Sequence, residues 1–288
     1  MQLAGPSGPA PKKGGGQHMI QIKDKEMEQL CRYVKDHFGI NLIDKKTLVE
    51  GRLAKLLGDQ GIEDFDAYFQ LLSEDKSGTE VFQLIDKLTT NHTFFMREAS
   101  HFDYFRDQVL PWLAESVKDR DLRIWCAGCS SGEEPYTLAM ILSDFFGKEQ
   151  NSWDMKILAT DISVSVLKTA REGIYTGEAV RTLPKAWQLG YFNAVDNDRY
   201  RVCEGIRNQV IFRSFNLMDP VLPFRKTFHV IFCRNVMIYF DQDTKNQVVS
   251  RYFHQTAPGG YLFIGHTESL SRDTMGYKYI LPSVYRKG

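Results

Sequence analysis

The sequence predicts an α/β protein: a doubly wound, Rossmann-like sheet with a small inserted β-subdomain, preceded by an all-α N-terminal helical domain. Three observations predict it. From Asp24 to about Leu88, apolar residues recur at spacings of three and four, the period of a helix. From Leu122 onward, short apolar runs alternate with helical stretches, as β–α–β units require. The first of these runs ends in a glycine-rich turn, Gly128-Cys129-Ser130-Ser131-Gly132, and an acid, Asp161, closes the second.

Residues 1–18, rich in Gly, Pro and Ala without hydrophobic period, read as a disordered leader or an expression scar, with Met19 as a candidate native start. Residues 19–90 form the helical domain. Its apolar stripes are Met27, Leu30, Cys31, Val34 and Phe38; Leu48, Leu53, Leu56 and Leu57; Phe65, Tyr68, Phe69, Leu71 and Leu72; and Val81, Phe82, Ile85 and Leu88. Residues 91–120 are a linker and connecting helix, with Pro111 expected to break or kink it.

Residues 121–288 form the α/β domain. Strands are expected at 122–127, 155–160, 209–213, 228–233, 260–265 and 279–285, and helices at 134–146, 163–172 and 242–255. The stretch near 175–210 breaks the alternation, and Arg199-Tyr200-Arg201-Val202 reads as part of the inserted sheet.

With 43% hydrophobic residues the 288-residue chain can bury a sizeable core. Lys and Arg number 36, as do Asp and Glu, so no bulk positive field is available to attract nucleic acid. Five cysteines in a chain of this size argue against a disulfide framework and for a reducing, cytoplasmic setting. No apolar run reaches the ~20 residues of a membrane span.

Three chemistries compete for the turn after the first strand. Trp125-Cys126-Ala127-Gly128-Cys129 has the letters of a thioredoxin-type redox site, but the second cysteine lies about five residues ahead of the main body of the helix that a redox thiolate would cap. No second Cys or His pair completes a zinc site, so no metal is expected. Gly128-Cys129-Ser130-Ser131-Gly132 is also a G-x-S-x-G elbow, with Asp219 or Asp241 and His266 downstream in α/β-hydrolase order, although only one strand precedes it.

The third reading is a cofactor loop. Gly128 and Gly132 let the backbone approach a ligand, Pro135 suits the first turn of the next helix, and Asp161 is placed to accept ribose hydroxyls. The G-x-G-x-x-G spacing of dinucleotide sites is absent, which disfavours NAD and leaves S-adenosylmethionine (SAM).

The ordered segments Asn91–Glu98, Cys126–Tyr136, Ala159–Ser163, Phe215–Leu217, Cys233–Phe240 and Gly265–Leu270 resemble the CheR family of chemotaxis methyltransferases, and the resemblance runs from about Met19 to the end. It implies methyl transfer from SAM to glutamate side chains of chemoreceptors, leaving S-adenosylhomocysteine. Asn91, Thr93 and Arg97 would border the SAM site beside Gly128. Glu133 and Asp161 would contact the cofactor, Asn216 and Leu217 would hold the adenine, and Arg234 and Asn235 would close the pocket.

A glutamate with a reference pKa of about 4.3 is ionised at neutral pH and needs no general base. Arg97 and Tyr239 are the candidates for orienting it. The implied partner is the receptor's cytoplasmic helical bundle, met by a monomer, and Lys45, Lys46, Arg52 and Lys55 are a candidate contact face or an ordinary solvated one. In some members of the family the inserted sheet binds a pentapeptide at the receptor C-terminus. A SAM-binding signalling module without catalysis and a hydrolase using Ser130 are the alternative functions.

Overall fold

The computed structural model describes residues 20–270 and 276–288; the leader 1–18 and the candidate start Met19 lie outside them. The helical period produces α1 (Asp24–Phe38), α2 (Lys46–Gln60), α3 (Phe65–Glu74) and α4 (Thr79–Leu88). Their stripes bury Leu30 and Val34, Val49, Leu53 and Leu57, Phe65 and Tyr68, and Leu84 and Ile85. Leu48 and Leu71 fall at the stripe edges and stay exposed. Asp64 caps α3 by accepting the Ala67 N–H at 2.9 Å, which satisfies one of the orphan donors of a helix start.

The linker leads into α5 (Ala99–Tyr104), a single π-helical turn over Phe105–Val109, and α6 (Leu110–Ser116). The expected break at Pro111 takes this form. Proline brings no N–H to the ladder, and the wide turn directly before it absorbs the defect without ending the helical run.

The α/β domain then runs β1 (Ile124–Ala127), α7 (Glu133–Phe146), β2 (Ile157–Asp161) and α8 (Val164–Glu172). The insertion follows as β3 (Ile174–Thr176), α9 (Gly177–Arg181), α10 (Lys185–Tyr191), β4 (Phe192–Ala194), β5 (Arg199–Val202) and α11 (Glu204–Arg207). The chain closes with β6 (Val210–Ser214), β7 (Phe228–Cys233), α12 (Gln242–Gln255), β8 (Thr256–Ile264), β9 (Tyr277–Leu281) and β10 (Val284–Lys287). The large sheet has the order β6-β2-β1-β7-β8-β10-β9, and the inserted antiparallel sheet the order β3-β5-β4.

From β6 to β8 the large sheet is parallel, and β10 returns antiparallel on β8. The single strand expected at 279–285 is a hairpin instead, because the chain turns at Pro282 and Ser283, the latter with φ of 66°.

The strand period of two divides the core. Ile124 and Cys126, Val230 and Phe232 face α7 and the connecting helix, whereas Trp125 and Ala127, Ile231 and Cys233 face α12 and the helical domain. The helical domain is therefore packed on one face of the sheet. Among the described residues no helix is long and apolar enough to cross a membrane.

Candidate functional site

The chain leaves β1 for β2 on one side and resumes with β7 on the other, so the strand order reverses between β1 and β7. In open α/β sheets ligands bind outside the carboxyl ends of the strands at such a point. A cleft with about 1020 Å³ of space, part of it open to solvent, lies at these ends.

Its wall includes Phe38 and Ile40 at and just after the end of α1, the linker Thr89–Phe94 with Arg97, the strand-end segments Gly128–Ser130, Thr160–Ile162 and Arg234–Val236, Phe215–Leu217 after β6, and Tyr239 and Phe240 ahead of α12. Asn91, Thr93, Arg97, Gly128, Asp161, Asn216, Leu217, Arg234, Asn235 and Tyr239 all line it. Glu133 does not. Its carboxylate accepts the Ser131 hydroxyl at 2.7 Å beneath the turn, and its neighbour Glu134 faces the cleft.

The turn is compact because Gly128 (φ 102°) leaves no side chain on its inner surface: a Cβ there would lie 2.2 Å from Val236 Cγ2. The Gly128 and Cys129 N–H groups both donate to the Thr160 carbonyl, at 2.8 and 2.9 Å. Asp161 accepts the Ser130 N–H at 2.8 Å and the Ser163 N–H at 3.0 Å. Burial raises its pKa despite these two donors. No ion pair joins Asp161 among the described residues, so its remaining lone pairs meet no cation and suit hydroxyl donors.

Arg234, buried at the end of β7, has its charge already answered. Its guanidinium donates to Glu134 at 2.9 Å, to Glu98 at 3.1 Å and to the Arg97 carbonyl, and stands 5.1 Å from the centroid of the Phe102 ring. Asn235, in left-handed backbone (φ 58°), donates its N–H to Glu268 at 2.9 Å, and Glu268 also accepts from Gly265 and Ile238. Glu98 and Glu268 were assigned no role from sequence, although both lie in the segments quoted above. The available signal was Arg234 itself, since a buried guanidinium at a strand end demands acids.

Arg97 differs from Arg234. It is half-buried, donates to the His92 carbonyl at 2.6 Å, and has no carboxylate partner among the described residues. The Tyr239 hydroxyl donates to the Thr90 carbonyl at 3.1 Å, and the Lys45 amine lies 6.0 Å from the centroid of its ring. Asn216 donates to the His37 carbonyl at 2.7 Å and accepts from the Met218 N–H, which locks the segment after β6 onto α1.

The rival chemistries lack their geometry. The Ser130 hydroxyl donates to the Asn91 carbonyl at 3.0 Å, while His266 contacts Ser100 and the buried His101. Asp241 caps α12 and pairs with Lys35. No Ser–His–Asp array is formed by these residues. Burial pushes the Cys126 and Cys129 thiols well above the ordinary range, the reverse of a reactive thiolate. Glu98, His101 and His266 do bring ligand atoms within 4.8 Å of one another, but the carboxylate in that group is engaged by Arg234.

On α2, Arg52 donates to the Leu88 carbonyl at 2.7 Å and to Thr90, and Lys46 pairs with Asp24. The expected basic face is thereby reduced mainly to Lys45 and Lys55.

Residues 25–89 match the family model described as CheR methyltransferase, all-alpha domain, and residues 91–284 match that of the CheR methyltransferase, SAM binding domain. A chemotaxis protein methyltransferase of Borreliella burgdorferi is 43% identical over 272 residues, covering 93% of this chain and 96% of that protein. The chemotaxis protein methyltransferase of Salmonella typhimurium is 36% identical over 258 residues (88% and 86%), and that of Escherichia coli 36% over 258 residues (88% and 87%).

Proposed function

Because this chain belongs to the CheR family of SAM-dependent methyltransferases, we propose that it methylates glutamate side chains on the cytoplasmic helical bundle of chemoreceptors, acting in the cytoplasm as a monomer. The observation that carries the reading is the cleft. It brings an acid without a cation, Asp161, and a cation without an acid, Arg97, to the wall of one space, as far as the described residues show partners.

When bound, SAM supplies a sulfonium methyl that an ionised carboxylate takes directly, leaving S-adenosylhomocysteine and a methyl ester. Asp161 accepts the ribose hydroxyls, with Gly128 giving the backbone room to approach. Asn216 and Leu217 flank the adenine. Asn91 and Thr93 edge the site from the linker, and Arg234 with Asn235 forms its far wall. Glu133 serves through the turn, holding the Ser131 hydroxyl.

Arg97 and Tyr239 orient the incoming glutamate at the mouth of the cleft. Position and exclusion of water supply most of the acceleration, since no proton has to move. A guanidinium bound only to a carbonyl can steer a carboxylate. One already clamped by two acids, as Arg234 is, cannot easily accept a third.

The test is transfer of labelled methyl from SAM to receptor cytoplasmic fragments, read as base-labile methanol release. Glutamate methyl esters are the expected product. SAM binding without ester formation on any receptor fragment would instead favour a signalling module without catalysis.

A further inference from the structure

The turn below the cofactor cleft holds three left-handed residues in five: Gly128 at φ 102°, Ser130 at 48° and Gly132 at 98°. Ser130 carries a side chain in that strained backbone region, so the conformation must be held from outside. β2 holds it through the Thr160 carbonyl and Asp161, and the linker holds it through the Asn91 carbonyl. A further tie comes from the inserted subdomain: the Tyr175 hydroxyl, on β3, donates to the Ser131 carbonyl at 2.7 Å.

That carbonyl belongs to the peptide joining Ser131 to Gly132, whose N–H donates to the Cys129 carbonyl at 3.1 Å. In a trans peptide the C=O and N–H point opposite ways, so Tyr175 and Cys129 fix one plane from its two sides. Tyr175 is buried, and its ring meets Phe95 edge-on at 4.8 Å; Phe95 in turn meets Phe192 of β4 at 5.7 Å. Phe95 sits between Phe94 and Arg97 in sequence, and both of those line the cleft.

We propose that Tyr175 is a positioning residue for SAM binding: it fixes the Ser131–Gly132 peptide and so couples the inserted β-subdomain to the cofactor turn. The proposal rests on the turn being the SAM site. It adds that the subdomain, which contributes no residue to the cleft wall, sets the cofactor affinity.

The full chain carrying Tyr175→Phe is compared with Tyr136→Phe by calorimetric titration with SAM and by thermal melting. Tyr136 is a matched control, because its buried hydroxyl also donates to a backbone carbonyl, Ala170, at 2.7 Å. Both variants should melt lower. Tyr175→Phe should also bind SAM about fivefold more weakly, the size expected from one net hydrogen bond, while Tyr136→Phe stays within about twofold of the parent. Equal SAM affinity in the two variants overturns the proposal. Asp161→Asn separates the levels: if it weakens SAM binding and Tyr175→Phe does not, the coupling fails alone, and if neither does, the site assignment fails with it.

Coupling is reciprocal, which gives a measurement on the unaltered chain. SAM should slow amide hydrogen exchange in β3. No change in exchange there on SAM addition also overturns the proposal.

Discussion

At Asp161 burial favours the neutral carboxyl, whereas ribose hydroxyls favour the ionised one. Burial raises the pKa, the backbone N–H groups of Ser163, Ser130 and Ile162 oppose it, and the like charge of Asp86 adds a small push upward. A carboxyl whose folded pKa lies above its unfolded value stabilises the apo protein fully below the unfolded pKa and loses that contribution as pH rises through the folded one. Ribose hydroxyls need the ionised acceptor, so SAM affinity must fall as pH drops through the raised pKa, earlier than for an ordinary aspartate near 3.9. Titrations carried downward from neutral pH should show this acid limb. Asp161→Asn should abolish it and weaken binding by about tenfold or more, the loss expected for hydrogen bonds to a charged group. An unchanged acid limb in the variant would assign the proton elsewhere, for instance to Glu134, which burial also raises.

At the scale of elements, the turn is where sequence and backbone are most tightly matched. Gly128→Ala would set a Cβ 2.2 Å from Val236 Cγ2 and force alanine into left-handed backbone. A loss of roughly 2–4 kcal/mol in urea unfolding is expected, together with weaker SAM binding. Gly190→Ala on α10, with nothing within 4 Å of the added Cβ, should be neutral or slightly stabilising. Similar losses in both would remove the steric argument.

The element order was legible because period and punctuation agree along most of the chain: β7 and α12 occupy the expected spans, Phe228–Cys233 and Gln242–Gln255. The hairpin at the sheet edge was not legible. Tyr277–Leu281 and Val284–Lys287 are short, their apolar residues run together, and only pairing on β8 separates them. The π turn before Pro111 was hidden for a similar reason: the proline announces a defect, and tertiary packing decides whether the helix stops or widens.

For the whole molecule, the helical domain and the sheet share one core. Leu30, Val49 and Leu53 join the same buried cluster as Trp125, Ile231 and Leu262. Ile40 bridges to Phe240, and the Asn41 N–H donates to the Tyr239 carbonyl at 2.8 Å. The chain should therefore unfold in a single calorimetric transition that SAM moves upward as one peak. Two separated transitions would show that the domains fold independently.

This shared wall also limits what a sequence reader can see of the site. Gly128, Asp161 and Arg97 stand in recognisable segments, but Phe38 and Ile40 come from the end of a helix in another domain, and no local pattern marks them as cleft residues. Glu133 and Glu134 show the same limit at one-residue resolution. Adjacent acids on a helix point in different directions, and only the assembled turn decides which one faces the ligand.

Since the cleft is closed by parts of both domains, its ligand is also a brace between them. A ligand that binds only the folded chain stabilises it by about 2.7 kcal/mol at a hundred times its dissociation constant. The methyl donor thus helps to set how long the enzyme survives. Limited proteolysis should therefore cut the chain more slowly as SAM is added, and an unchanged rate would show that the cleft does not brace the two domains.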